Sequence, residues 1–315
     1  MTAAVQVTRP AVLAESPVWD PRRQALLWVD IDAGQVHRLD PRTGADTATA
    51  LGVPVGAVAL RRAGGLVLAA GRGFAFLDET AGPDETAGPG ETAGSGEAAG
   101  SGRAPAAAGR LDWRWADGRG DRMNDGKCDP AGRFLAGTLT TAQTPGAAAL
   151  YQLAADGTVT TLIGEATISN GLGWSPDGSL LYFVDTPLQR VDVLDYDVAS
   201  GQASGRRLFA DLRDVPGRPD GLTVDADGGV WVAMSRGGHA VRRLAPDGRL
   251  DHLVEMPVPR VTSVAFGGPD LADLYVTTSR AGMSPADLTD YPASGAVFCV
   301  PAAGVRGLPP AEYAG

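Results

Sequence analysis

A unit of about 40 to 50 residues recurs along this chain, and this repeat restricts the possible fold more than any other feature of the sequence. Each copy starts with a short polar segment, continues into an apolar stretch, turns at Asp with Gly or Pro, and returns as a second apolar stretch. Marker residues near the starts of the copies are 41, 68, 46, 50 and 42 residues apart, and omitting a 24-residue insertion reduces the 68 to 44. These markers are Glu15, Gly56, Asn124, Asn170, Asp220 and Thr262.

A period in the forties with short alternating stretches is typical of the four-stranded blade of a β-propeller. No run of the sequence shows the 3.6-residue periodicity of an amphipathic helix, and the 43 glycines and 23 prolines indicate many tight turns. The sequence therefore predicts an all-β chain in which residues 1–315 form a single six-bladed β-propeller domain around a central channel. Because a closed ring is usually completed by both termini, the strand around residues 5–7 is expected to pair with residues near the C-terminus.

The insertion has a composition that cannot build a core. Residues 79–102 are four tandem hexapeptides, ETAGPD, ETAGPG, ETAGSG and EAAGSG, and residues 79–109 contain no large apolar side chain. Burial of such residues cannot offset the entropy lost on ordering the backbone. We expect residues 79–109 to form a low-complexity, disordered loop within the propeller domain, and nothing in the sequence supports a role for it in binding a partner.

Charge and cysteine content exclude several classes of partner. The net charge is -10 and the pI is near 4.8, which argues against a nucleic-acid partner, since binding a polyanion requires clustered cations. Cys128 and Cys299 are too few for a disulfide framework and are expected to be packed, inert thiols. No signal peptide and no membrane-length apolar run are evident. A cytoplasmic location without a membrane partner is expected, and the sequence leaves the oligomeric state open.

Oxygen donors are the residues with the strongest case for chemistry. The chain has no G-x-S-x-G motif and no His-x-x-x-His spacing, which argues against a serine triad and a histidine-rich zinc site. Glu15, Asn124, Asn170 and Asp220 occupy the same position in four repeats, so in a propeller they would meet at one mouth of the channel. Carboxylate and amide oxygens suit one divalent cation such as calcium, magnesium or manganese, with zinc less typical.

The alternative is that these residues only form turns, because Asn-Gly and Asp-Gly dipeptides are common hairpin signals. Asn170-Gly171 and Asp220-Gly221 fit that interpretation when each is taken alone. The shared position, however, holds Glu, Gly, Asn, Asn, Asp and Thr in the six copies. A position with a purely architectural role tends to repeat one residue type, so this diversity favours a functional site.

Several blocks of the sequence resemble the regucalcin/gluconolactonase family, also called senescence marker proteins. The blocks are AESPVWD from Ala14, RMNDGKCDPAGRFLAGTL from Arg122, ISNGLGWSPDG from Ile168, PDGLTVDADGGVWVA from Pro219, and the closing VRGLPPAEYAG. The resemblance covers the chain apart from the insertion. It implies a six-bladed propeller with one divalent metal in the channel and hydrolysis of sugar lactones such as gluconolactone to the aldonic acid.

The resemblance also implies roles for individual residues. It makes Glu15, Asn170 and Asp220 the metal ligands, Asp220 the general base and therefore the catalytic residue, and Arg122 and Asn124 the residues that hold substrate hydroxyls. Asp125 is expected to support the turn. Many animal members have acidic residues where this chain reads Thr140-Thr141-Ala142, so the preferred sugar is not specified.

The expected mechanism is attack of water on the lactone carbonyl, with the cation stabilising the oxyanion. Three alternatives remain open. The substrate could be another ester or lactone, the chain could be a non-enzymatic calcium-binding regulatory propeller, or it could be a protein-interaction scaffold.

Overall fold

The computed structural model describes residues 3–7, 10–78 and 107–315, with the side chains of Ala107 and Ala108 not included. These residues form six sheets, five of four antiparallel strands and one of five strands, whose fifth strand pairs in parallel. The first strand of each repeat contacts the first strands of the two neighbouring repeats, and these contacts close on themselves as a ring. The six-bladed β-propeller expected from the repeat is therefore confirmed.

Strand β1 (Ala4–Val7) precedes the first repeat and belongs to the last blade. Blade 1 contains β2 (Ala14–Asp20), β3 (Ala25–Asp30), β4 (Gln35–Asp40) and β5 (Ala45–Ala50). Blade 2 contains β6 (Val55–Leu60), β7 (Leu66–Ala70) and β8 (Gly73–Leu77); a short strand β9 (Ala107–Ala108) joins the edge of blade 1, and β10 (Leu111–Trp115) completes blade 2. Blade 3 contains β11 (Arg122–Cys128), β12 (Phe134–Leu139), β13 (Ala148–Leu153) and β14 (Val159–Ala166).

Blade 4 contains β15 (Ser169–Trp174), β16 (Leu180–Asp185), β17 (Arg190–Asp197) and β18 (Gln202–Asp211). Blade 5 contains β19 (Arg218–Val224), β20 (Val230–Ser235), β21 (Ala240–Leu244) and β22 (Leu250–Glu255). Blade 6 contains β23 (Val261–Gly267), β24 (Asp273–Thr278) and β25 (Val297–Val300), with β1 as its outer strand. The inner strands, those that face the channel, are β2, β6, β11, β15, β19 and β23.

Both ends of the chain contribute to blade 6, as the ring-closure argument predicts. In the antiparallel ladder between β1 and β25, Val5 lies opposite Phe298 and Val7 lies opposite Val297. A sheet whose strands come from the two ends of the sequence ties blade 6 to blade 1 and closes the ring.

Apolar side chains fill the space between each pair of neighbouring blades. The buried residues fall into six clusters, one for each blade interface of the ring. Trp231 of blade 5, for example, packs edge-on against Phe266 of blade 6, and Phe74 of blade 2 packs against Phe134 of blade 3. Cys128 and Cys299 are both free and buried in these clusters, as expected for packed thiols. The core therefore lies between the blades and leaves the channel free for polar groups.

Two short helical segments were not anticipated from the sequence. Thr186–Leu188 form a 3-10 turn, and α1 (Pro285–Asp290) begins at Ser284, which forms a capping box with Asp287. These segments are too short to show helical periodicity. Within the described ranges, no helix is long and apolar enough to cross a membrane.

The insertion interrupts the outer hairpin of blade 2, between the paired strands β8 and β10. Residues 79–106 of the expected loop lie outside the described residues. The sequence predicts a loop that ends at Gly109, whereas Ala107 and Ala108 pair in parallel with Thr49 and Ala50 of β5. Leu111 and Leu77, which flank the insertion, lie at the end of blade 2 near Leu60, away from Gly56.

Candidate metal centre

Each inner strand contains a β-bulge near its start, and the residues singled out by the repeat lie at these bulges. The ladder register shifts between Glu15 and Val18, Val55 and Ala57, Met123 and Gly126, Ser169 and Leu172, Pro219 and Leu222, and Val261 and Ser263. Asn124, Asn170 and Asp220 are the first residues of their bulges to leave the ladder, and Glu15 is the last paired residue before its bulge. A bulge redirects a side chain that regular alternation would place elsewhere.

Asn170 and Asp220 contact each other directly across the interface between blades 4 and 5. The Asn170 Nδ2 group donates to Asp220 Oδ1 at 2.5 Å and to Thr186 Oγ1 at 3.0 Å. The Thr186 hydroxyl in turn donates to the Pro219 carbonyl at 3.0 Å. Thr186 therefore connects the amide of blade 4 to the backbone residue that precedes Asp220.

This contact depends on a glycine. A Cβ at Gly171 would lie 2.5 Å from the Asp220 carbonyl oxygen and 2.6 Å from the Leu222 nitrogen. Gly56 stands in the same relation to blade 3, because a Cβ there would lie 2.3 Å from the Asn124 carbonyl oxygen. Gly at these two positions lets neighbouring inner strands approach closely enough for their side chains to share one site.

Glu15 is buried, and its carboxylate accepts a hydrogen bond from the Ser16 backbone N–H at 3.1 Å. The backbone just before it is held by Asp30, whose carboxylate accepts from the N–H groups of Val12 and Leu13. Asp185 does the same for blade 4, where its carboxylate accepts from the two residues before β15. Asp30 and Asp185 each end the second strand of their blade. Their carboxylates thus fix the backbone just before the inner strands that carry Glu15 and Asn170.

The acidic groups at this mouth of the channel repel one another. Burial raises the pKa of Glu15 well above its usual range, and the charges of Asp220 and Asp125 raise it further. Burial, together with the charge of Asp125, raises the pKa of Asp220 to about 7, although hydrogen bonds from Asn170 and Ser235 oppose the shift. The pKa of Asp125 is raised by burial to about 6. Ionising these carboxylates together requires a positive charge nearby.

Arg122 and Asn124 lie beside these carboxylates. The Arg122 Nη1 group donates to the Asn124 Oδ1 atom at 2.9 Å, and the Asn124 Nδ2 group donates to the Ser169 carbonyl of blade 4 at 3.0 Å. Burial lowers the pKa of Arg122, while the charges of Asp32, Glu15 and Asp220 favour its ionised form. The charges of Lys127 and Arg236 also act on Asp125 and Asp220, and the pKa values of both acids nevertheless stay raised because both are buried.

The donor set fits a hard divalent cation. The buried Asn170 Oδ1 atom has no hydrogen-bond partner among the described residues, although the Nδ2 group of the same amide has two. A buried carbonyl oxygen without a donor is costly, and a cation would satisfy it. Within the described part of the chain no three Asp, Glu, His or Cys side chains gather as a metal cluster. Glu15, Asn170 and Asp220 offer two carboxylates and an amide, a combination suited to calcium, magnesium or manganese.

Sequence reasoning missed the contribution of two residues. Asp125 was assigned to the turn, and its Oδ1 atom does accept from the Gly126 N–H at 2.7 Å, but its charge also raises the pKa values of Glu15 and Asp220. Its position next to Asn124 was the available signal. Thr186 lies one residue past a strand end, and nothing in its local sequence indicates that it would bind Asn170.

Residues 140–142, where many animal members of the family have acidic residues, form a hydrogen bond with an acid from another part of blade 3. The Asp121 carboxylate accepts a hydrogen bond from the Thr141 backbone N–H at 2.6 Å. This hydrogen bond lowers the pKa of Asp121, which stays exposed beside Arg122. An acid is therefore present next to the segment 140–142, although it comes from the residue just before β11.

The fold and the site define this protein as a six-bladed β-propeller with a candidate metal centre, formed by two acids and an amide, at one mouth of its channel. Sequence comparison identifies the family. The sequence profile of the family described as "SMP-30/Gluconolactonase/LRE-like region" matches residues 13–280. Regucalcin from Xenopus laevis is 36% identical over 308 residues, which cover 96% of this chain and 95% of the relative. The chain belongs to the SMP-30/gluconolactonase/regucalcin family.

Solved structures agree with this assignment. A calcium-binding protein, regucalcin, from Agrobacterium tumefaciens superposes with a TM-score of 0.82 at 27% identity, covering 99% of this chain and 97% of that structure. A luciferin-regenerating enzyme superposes with a TM-score of 0.84 at 28% identity and covers 99% of both chains. The fold, and not only local motifs, is therefore shared along the whole chain.

Proposed function

We propose that this protein is a metal-dependent hydrolase that opens sugar lactones, such as gluconolactone, to the aldonic acid. The observation that carries the proposal is the direct contact between Asn170 and Asp220, with a buried, unpartnered amide oxygen beside an acid whose pKa is raised to about 7. Family membership supports the same reaction class, since the family description names gluconolactonase.

Glu15, Asn170 and Asp220 would hold one divalent cation, and a cation bound there supplies positive charge that stabilises the developing oxyanion. Calcium is the first candidate, because a structural relative at 27% identity is described as a calcium-binding protein. The reconstitution experiment below decides whether the site prefers calcium or instead manganese, magnesium or zinc.

Asp220 acts as the general base in this proposal. Its carboxylate accepts a proton from the attacking water as the water oxygen bonds to the lactone carbonyl carbon. The ring C–O bond then breaks, and the leaving oxygen takes up a proton to become a hydroxyl of the product acid. One Asp220 oxygen is already held by Asn170, which fixes the carboxylate in position.

Arg122 and Asn124 orient the sugar. They lie in one strand at alternate positions, and the hydrogen bond between them positions the guanidinium beside the mouth of the channel. Their contribution is to hold hydroxyls of the substrate so that the carbonyl faces the base, a matter of orientation and not of proton transfer.

A lactone panel with metal reconstitution tests the proposal. Acid release from aldonolactones and other lactones or esters is measured after EDTA treatment and after adding back calcium, manganese, magnesium or zinc. Turnover that depends on a metal and prefers an aldonolactone supports the proposal. Tight calcium binding without turnover on any substrate would favour the regulatory alternative, turnover on a different ester would change the substrate, and failure of every metal to bind would favour a scaffold.

Two variants separate the ligand from the base. In Glu15→Gln, metal affinity falls and turnover recovers when the metal concentration is raised. In Asp220→Asn, turnover stays about 10²- to 10⁴-fold low even at saturating metal, the range lost when a general base is removed. Asp247→Asn, which alters an exposed carboxylate paired with Arg249, serves as the matched control and keeps normal activity. Near-normal turnover in metal-loaded Asp220→Asn would remove Asp220 from the mechanism.

A further inference from the structure

A second cavity lies on the axis of the propeller, at the opposite end of the inner strands from the candidate metal centre. Its volume is about 290 Å³, and every inner strand contributes residues to it. Along β15, Trp174 in the cavity wall is four residues beyond Asn170, which corresponds to about 13 Å of extended strand. The cavity is therefore separate from the site at which the lactone would react.

The C-terminal segment covers this cavity by crossing the ring from one side to the other. The Arg306 carbonyl accepts from the Ala226 N–H of blade 5 at 2.8 Å, and on the opposite side of the ring the Tyr313 N–H donates to the Leu60 carbonyl of blade 2 at 2.8 Å. Residues 308–311 between these attachment points line the cavity. The two prolines in this stretch have no backbone N–H, so they cover the cavity without presenting main-chain donors to it.

Aromatic side chains form much of the cavity wall. Trp19, Trp174 and Phe266 all contribute, together with prolines of the loops and of the C-terminal segment. Trp174 is buried, and its indole Nε1 group has no hydrogen-bond partner among the described residues. The indole N–H is enclosed by the protein, so Trp174 contributes to the cavity wall through its apolar ring.

Lys127 adds a positive charge to this apolar wall. It is the single lysine of the chain, and none of the other lining residues carries a charge. Its Nζ group donates to the Leu222 carbonyl at 2.8 Å, and it forms no ion pair within the described ranges. Burial lowers the pKa of Lys127, whereas the charge of Asp125 favours its ammonium form. An ammonium has three N–H donors, and an anion that enters the cavity would accept from those that Leu222 does not use.

We propose that this cavity is a second ligand site, which takes a small aromatic carboxylate. The aromatic and proline walls fit a flat ring, Lys127 supplies donors for the carboxylate, and the volume fixes the size. Since a water molecule occupies about 30 Å³ in the liquid, the cavity has room for roughly ten non-hydrogen atoms. Benzoate is the probe of this size and charge.

Calorimetric titration of the full chain with benzoate tests this site. EDTA is included so that no metal is bound at the candidate metal centre. A ligand of this size is expected to bind with a Kd on the order of 0.1–1 mM. Benzamide has the shape of benzoate without its charge and should bind at least about tenfold more weakly, since charge-assisted hydrogen bonds are about twice as strong as neutral ones. Acetate, which has the charge without the ring, should give no saturable binding.

Two variants assign the binding to this cavity. Lys127→Met should weaken benzoate binding about tenfold and leave benzamide binding unchanged, because the methionine keeps the apolar stem and removes the charge. Ala265→Leu, which places a larger side chain in the cavity wall, should abolish the binding of both. Thermal unfolding of each variant verifies that it is folded.

The single lysine allows a direct spectroscopic readout. In protein labelled with 13C at the lysine ε-carbon, one side-chain resonance is expected, and benzoate should shift it, as it should shift the Trp174 indole N–H resonance identified by its loss in Trp174→Phe. Absence of saturable benzoate binding, unchanged affinity in Lys127→Met, or displacement of benzoate by gluconate would overturn the proposal. The last result would place the probe in the candidate metal centre and would leave the lactonase proposal intact.

Discussion

The stability of the metal-free protein should fall as the pH rises from 5 to 8, and Asp220→Asn should remove part of this loss. An Asp in an unfolded chain has a pKa of about 3.9, whereas burial beside Asp125 raises the pKa of Asp220 in the folded protein to about 7. Between these values the folded state holds a proton that the unfolded state has released. The free energy of unfolding therefore decreases as the pH rises through this window.

The magnitude follows from the width of the window that the experiment crosses. From pH 5 to pH 7 the folded state retains the extra proton, and each pH unit costs about 1.4 kcal/mol, so the loss is at most about 3 kcal/mol. Partial exposure of Asp220 to the channel reduces this figure. Glu15, whose pKa is also raised, adds a loss of the same sign.

Urea unfolding in EDTA at pH 5 and pH 8 measures this effect. Asp220→Asn lacks the titrating group, and removing the charge of Asp220 also reduces the upward shift of the Glu15 pKa, so this variant should lose less stability than the wild type. Glu15 and Asp125 stay buried and retain a loss of the same sign. In the control Asp247→Asn, the replaced carboxylate is exposed and its pKa is already lowered by Arg249, so the wild-type pH dependence should be kept. Saturating calcium should reverse the trend, because a cation binds the ionised carboxylates. Equal losses in the wild type and in Asp220→Asn would refute the reasoning.

Three further substitutions test the geometry of the site. Thr186→Val removes the hydroxyl that holds the Asn170 amide and should lower metal affinity about tenfold, measured by calorimetric titration, as is typical when a group that orients a metal ligand is lost. Gly171→Ala places a Cβ 2.5 Å from the Asp220 carbonyl oxygen. The free energy of unfolding, measured in urea, should fall by about 1–3 kcal/mol, and metal binding should weaken. Unchanged stability and metal affinity would mean that the inner strands move apart easily. Arg122→Met should raise KM for the lactone and leave metal affinity within about twofold, since the guanidinium orients substrate; a parallel loss of metal binding would make Arg122 part of the metal centre.

In this protein, positions that repeat one residue type have a structural role, whereas a position whose residue type differs between repeats marks the candidate site. Asp20, Asp129 and Asp225 end three inner-strand segments, are fully buried, and accept hydrogen bonds from the turns that follow, as expected where one residue type recurs. The position that differs between repeats is the one whose side chains gather at the channel mouth. The comparison of repeats within a single chain therefore located the candidate site.

Other parts of the site could not be read from the repeats. Thr186 belongs to a 3-10 turn between the second and third strands of blade 4, and its hydrogen bond to Asn170 arises only when that turn folds back over the start of β15. Asp121 reaches Thr141 because β11 and β12 pair with a register that brings Arg122 opposite Leu139. Such contacts depend on how loops meet in space, and local sequence carries no periodic signal for them.

The sequence by itself determined the number of blades, the closure of the ring by both termini, and the residues at the start of each inner strand, because strand alternation and turn residues are local and recur in register. Tertiary structure decided what those residues touch. The bulges set the direction of each side chain, Gly171 sets the distance between two blades, and burial sets the pKa of Asp220. The cavity behind Lys127 likewise exists only because the C-terminal segment crosses the closed ring. Direction, distance and burial arise from segments far apart in the chain, so only the assembled propeller defines them.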